Sequence, residues 1–220
     1  MKTITALAAN KLGKFLAKDF RRIFGPAHDD VAERLGSLAR STIECLGRCD
    51  ALYHNYEHTF QVTMVGRDIL QGMTLSQRIE PADYSHLIVA CLLHDIGYMR
   101  GVLSGDTENE FVVDGGGKKV TLPRGASDAA LTPYHVDRSK LFAFERLGNS
   151  PTIDASRIAE AIEMTRFPVR LDHSTDEALE SKLVQAADLI GQLGDPMYSR
   201  KANALYSEFE EIGMNRQLGY

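Results

Sequence analysis

The chain has 220 residues, 44% of them hydrophobic, enough to fill the core of one large domain or of a domain with a small insertion, which excludes disorder for most of it. Its 25 basic and 30 acidic residues give a net charge of -5 and are spread along the chain. No basic face for nucleic acid or an anionic membrane stands out, so a small-molecule partner fits better.

Helical periodicity dominates from the start. Ile4, Leu7, Ala8, Leu12, Phe15, Leu16, Phe20 and Ile23 fall at steps of three and four, predicting an amphipathic helix over 4–23 that stops at the breaker pair Gly25-Pro26. The stripe runs straight through the region where Met1-Lys2 and the short apolar run to Ala9 would place a signal-peptide cleavage site, so a structural helix is the better reading. A second helix is predicted over 29–46, with Val31, Leu35, Leu38, Ala39, Thr42 and Cys45 on one side, and residues 1–50 are read as N-terminal packing helices. Asn55 is expected to cap a third helix through 70, and Asp83 a fourth through 93. Leu87, Ile88, Ala90, Cys91 and Leu92 leave the fourth little polar surface, which predicts a central, buried helix. No segment approaches the ~20 apolar residues that span a bilayer.

Between 101 and 133 the helical pattern fails. Phe111-Val112-Val113 and Val120-Thr121-Leu122, separated by Asp114 and three glycines, read as a hairpin within an insertion at about 106–125. The glycines lack the strand-to-helix setting and closing Lys-Ser or Lys-Thr of a phosphate loop. Helices resume over 134–147, 154–165, 175–193 and 197–212. The expected fold is all-α, a helical bundle with a small β-hairpin, with residues 51–220 as the functional core of a single compact domain. Cys45, Cys49 and Cys91 match no disulfide framework or zinc knuckle, and reduced thiols imply a cytoplasmic protein. Cys45 and Cys49 lie one turn apart, but two free core thiols explain them better than a shared metal does.

Three short stretches carry chemistry. In Tyr53-His54-Asn55-Tyr56-Glu57-His58 two histidines four apart on a helix would look into one cavity. In Leu92-Leu93-His94-Asp95-Ile96-Gly97 an imidazole and a carboxylate end the most apolar helix, where the helix dipole disfavours negative charge and a divalent cation would resolve the conflict. In Ala186-Ala187-Asp188-Leu189 a lone carboxylate among small and aliphatic residues needs a counter-charge. Two imidazoles and two carboxylates suit one or two divalent ions, whether manganese, iron, zinc, nickel or magnesium.

Histidine, then His-Asp, then a distant aspartate in an all-helical chain resembles the HD superfamily of metal-dependent phosphohydrolases over residues 53–196. Tyr53-His54-Asn55 with His58, and Asp188 followed by Asp195-Pro196, are similar to segments of class I cyclic-nucleotide phosphodiesterases. The resemblance implies an HD-domain bundle that hydrolyses a phosphoester or phosphodiester in a nucleotide-like small molecule by a metal-bound water. It assigns His58, His94, Asp95 and Asp188 to the metal, with Asp95 also acting catalytically and able to bridge a second ion, and His54 as general acid. His135 and Thr165 are placed near a second metal or the substrate. Arg100, Arg138 and Arg166 are candidates for gripping phosphate oxygens. Tyr98 and Arg166 stand where those phosphodiesterases have a histidine and an aspartate.

Two rival classes stay open at this point. One is an HD-type di-iron oxygenase completed by His135 and His173, and the other a non-catalytic, metal-binding sensory module. His28 and His86 are read as structural. The hairpin is a candidate lid, or a contact in a homo-oligomer.

Overall fold

A computed structural model describes residues 3–168 and 179–219. Thr3 caps α1 (Ile4–Phe24) by accepting a hydrogen bond from the Ala6 amide, and Gly25 ends it with a positive φ of 78°. A short 3-10 turn over Pro26–His28 leads into α2 (Asp29–Leu46). Asn55 caps α3 (Tyr56–Met73), as expected. This start leaves His54 just before the helix, so the shared-face argument for His54 and His58 does not apply. The fourth helix, α4 (Pro81–Leu93), starts two residues before Asp83, because Pro81 is preorganised for the first helical position.

Beyond α4 the chain tightens into a 3-10 turn at Ile96–Tyr98. The hairpin follows as β1 (Glu110–Val112) and β2 (Lys119–Thr121), with Phe111 opposite Val120. Its glycine-rich tip is a turn: Asp114 Oδ1 accepts from the Gly116 and Lys118 amides, and Gly117 has a φ of 82°. Then come α5 (His135–Leu147), α6 (Ala155–Glu163) capped by Asp154, α7 (Leu179–Leu193), α8 (Tyr198–Glu211) and a short α9 (Met214–Leu218) that the periodicity does not announce. The architecture is all-α with one small hairpin. Among the described residues no helix is long and apolar enough to cross a membrane.

One hydrophobic cluster runs from Ala9 of α1 to Ala187 of α7, so the first two helices share the core of the rest. α4 is its axis. Every residue from Tyr84 to Leu93 is buried, and the helix packs against α2, α3, α6 and α7. A fully buried Leu or Ile contributes ~1.5–3 kcal/mol relative to exposure, which is why the least amphipathic helix takes the centre. Asp19 joins α1 to α3 and α4, accepting from Arg67 at 2.7 and 2.9 Å and from the Tyr84 hydroxyl at 3.0 Å.

Arg138 is a structural clasp and does not have the phosphate-binding role expected of it. It is fully buried on α5, pairs with Asp106 at 2.9 Å, and donates to the carbonyls of Gly97, Met99 and Val112. A guanidinium has five donors in a fixed fork, and here they stitch the hairpin and the turn after α4 to α5.

Candidate metal centre

The apolar core delivers three helices to one point. α3 brings His58 in its first turn, α4 ends on His94 with Asp95 next, and α7 brings Asp188. Their close approach depends on small residues. A Cβ on Gly191 would meet the Val62 backbone at 3.1 Å, so glycine lets α7 lie flat against α3. Gly97 lies in the turn after α4, and a Cβ there would come within 2.0 Å of the His135 carbonyl, so its bareness seats α5 beside the His-Asp pair.

His58, His94 and Asp95 form a buried group whose ligand atoms lie close enough to hold one ion, and Asp188 approaches the two histidines. His58 Nε2 and His94 Nε2 are 3.4 Å apart. Asp95 Oδ2 lies 3.1 Å from His94 Nε2 and 3.5 Å from His58 Nε2, and Asp188 Oδ1 lies 3.1 Å from His58 Nε2 and 3.7 Å from His94 Nε2. Atoms arranged around one ion at bonds of ~2.1 Å have spacings of this size. Two further features fit a cation. The His94 Nδ1–H donates to the Cys91 carbonyl at 2.8 Å, which turns the Nε2 lone pair to the centre. Asp95 Oδ2 is buried without an aligned hydrogen-bond donor.

The electrostatics agree. Burial alone would push the His94 imidazole down, but Asp95 and Asp188 beside it push it up to about 9. Burial likewise opposes ionisation of Asp95 and Asp188, yet the histidines hold both carboxyls below the usual range. The cluster therefore concentrates negative charge that positive charge must balance.

His54 reaches the same cavity from its bend, and its ring stacks on Tyr98 at 4.7 Å between centroids. Its Nδ1 lies 2.5 Å from Glu208 Oε2, and Glu208 Oε1 also accepts from the Tyr53 and His54 amides. Burial works against the charged ring, but the Glu208 hydrogen bond together with the negative charges of Asp95, Glu208 and Asp188 outweighs it and raises the His54 pKa. Glu208 is absent from the sequence reading. It sits in the acidic run of Glu208, Glu210 and Glu211, where nothing local marks it as the one that turns inward.

His135 also stacks against Tyr98, at 4.4 Å between centroids. Its Nδ1–H donates to the Thr132 carbonyl at 2.6 Å, and its Nε2 is 3.8 Å from Asp95 Oδ1. Burial lowers its pKa toward a neutral ring. Thr165 reaches the cavity wall just past α6, with its hydroxyl donating to the Ile162 carbonyl. The remaining arginines are not brought to the site. Arg100 is held by Asp128 and Asp50, and Arg166 by Glu163 and Asp137. Carboxylates drawn from neighbouring loops and helices satisfy them, which removes the phosphate-gripping role expected of both. His86 links α4 to the cap of α6 by accepting from the Asp154 amide, a structural duty as expected. His173 lies outside the described residues.

The cavity above these groups has a volume of about 510 Å3. Its floor is formed by His54, His58, Asp95, His135 and Asp188, and its outer wall by α8, α9 and Phe167.

The chain belongs to the Npun_R2479-like family, whose profile matches residues 2–220. No curated protein and no solved structure matches it.

Proposed function

We propose that the chain is a metal-dependent phosphohydrolase that cleaves a phosphoester or phosphodiester of a small molecule, with a divalent ion held by His58, His94, Asp95 and Asp188. The observation that supports this reading is the convergence of those four donors on the floor of a cavity, beside a histidine that the ion does not need. A bound divalent cation supplies Lewis acidity and a water acidic enough to act near neutral pH.

The chain's own residues do the rest. His94 is fixed in one tautomer by the Cys91 carbonyl, so its Nε2 needs no reorientation to bind. His54, kept protonated by Glu208, presents an acid that donates a proton to the leaving oxygen. Its carboxylate partner holds the ring against rotation, and Tyr98 packs its face. His135, neutral and aimed by the Thr132 carbonyl, offers a lone pair beside Asp95 for a second ion or a substrate hydroxyl. Three free thiols, with Cys91 buried, favour the cytoplasm as the compartment.

His94→Ala and Asp188→Ala are each expected to remove both bound metal, measured by elemental analysis of protein prepared without chelator, and phosphate release. His54→Ala is expected to keep the metal and slow turnover by about 100-fold or more on esters with poor leaving groups. A metal-replete protein that released no phosphate from a panel of mono- and diesters, and instead consumed oxygen when iron-loaded, would overturn the reading in favour of an oxygenase.

A further inference from the structure

The charged groups of the cavity lie at its floor, and much of its outer wall is apolar. The outer wall is built from Phe167, Leu205, Phe209 and Leu218, and the Phe167 and Phe209 rings lie nearly parallel, with centroids 5.8 Å apart and 19° between planes. Two of the amides that line it are committed elsewhere. Gln185 Nε2 donates to the Met164 carbonyl, and Asn215 Nδ2 donates to the Tyr206 carbonyl and to Glu210. Among the described residues no lysine or arginine lines the cavity.

Charge at the floor is similarly limited. A divalent ion there would be neutralised by Asp95 and Asp188, and a protonated His54 is neutralised by Glu208. A di- or triphosphate would enter with three or four negative charges and meet no surplus of positive charge among the described residues. A single phosphoryl head on an apolar body matches both the floor and the wall. The volume of about 510 Å3 falls within the range of ~300–1,000 Å3 typical of small-molecule sites.

We propose that this site selects a substrate with an apolar, ring-bearing body, packed against the α8–α9 wall through Phe209 and Leu205, and one phosphoryl head at the floor. The identity of the head rests on the phosphohydrolase reading above, whereas the preference for an apolar body rests on the wall alone.

The test uses the manganese-loaded full chain and calorimetric binding of four probes: methylphosphonate, 1-naphthylmethylphosphonate, 2-(1-naphthyl)ethanol and adenosine imidotriphosphate. The naphthyl phosphonate is expected to bind roughly 30-fold tighter than methylphosphonate, the gain from moving one bicyclic ring out of water. Phe209→Ala and, separately, Leu205→Gln are expected to erase most of that gain while leaving manganese content, melting temperature and methylphosphonate affinity unchanged. Equal affinity for the two phosphonates, or tightest binding of the imidotriphosphate, overturns the proposal. Naphthylethanol binding as tightly as the naphthyl phosphonate, with both weakened by Phe209→Ala, supports the apolar wall and overturns the phosphoryl head.

Discussion

At the scale of single residues, the proposed division of labour between His54 and His58 rests on what each ring faces. His58 points its Nε2 at His94, Asp95 and Asp188, whereas His54 is claimed by Glu208 through Nδ1. Glu208 is therefore a positioning residue with an electrostatic consequence, since its carboxylate raises the His54 pKa. A general acid works only below its pKa, so removing that charge must shorten the active range from the alkaline side. Glu208→Gln keeps the shape and is expected to move the alkaline limb of the kcat/KM profile to lower pH on an ester with a poor leaving group. An unmoved limb, with kcat/KM lowered evenly at all pH, would show that Glu208 acts on geometry alone.

At the scale of elements, the hairpin is tied down by one buried ion pair. Arg138 and Asp106 are both fully buried, and Asp106 also accepts from the Val112 amide, so β1, the turn after α4 and α5 share one polar knot. Such a pair adds little over a well-packed apolar substitute, but half of it is costly because a charge is left buried without a partner. Arg138→Ala is expected to lower unfolding free energy by about 3–5 kcal/mol, and the double variant Arg138→Met with Asp106→Leu to recover much of that in urea denaturation. A single variant as stable as the parent would mean that water reaches Asp106. The same knot holds β1 as far as Val112, next to the turn, which confines any lid-like motion to the tip around Gly115 to Gly117.

For the whole molecule, Asp19 reports on how the first two helices join the rest. Burial would push its carboxyl up, but hydrogen bonds from Arg67, Arg22 and Tyr84 hold it down at about 2. A depressed carboxylate contributes stability that is present above the unfolded pKa of about 3.9 and is lost as pH falls through the folded value. The contribution is about 2 kcal/mol for a shift of this size. The stability gap between the parent and Asp19→Asn should therefore hold from pH 7 to 5 and narrow from pH 4 toward 2, read from urea melts at each pH. A gap that stayed constant through pH 3 would place the effect outside ionisation.

The sequence by itself determined the helices apart from the short α9, the hairpin and the candidate carboxylates, because caps, breakers and apolar periodicity act over a few residues and a carboxylate in an aliphatic run stands out locally. Asn55, Asp154 and Gly25 punctuate the chain where the pattern says they should. Only the tertiary structure decided which charges pair. Arg100, Arg138 and Arg166 have the chemistry to grip a phosphate, yet each is taken by carboxylates that packing brings from distant segments. Glu208, over 150 positions from His54, became its partner for the same reason. His94, Asp95 and Asp188 stand out from their neighbours in sequence, whereas the choice of His58 over His54 comes with the family resemblance. The arrangement of the two histidine nitrogens within 3.1 to 3.7 Å of each other and of the Asp95 and Asp188 oxygens belongs to the packing of α3, α4 and α7, which no local pattern encodes.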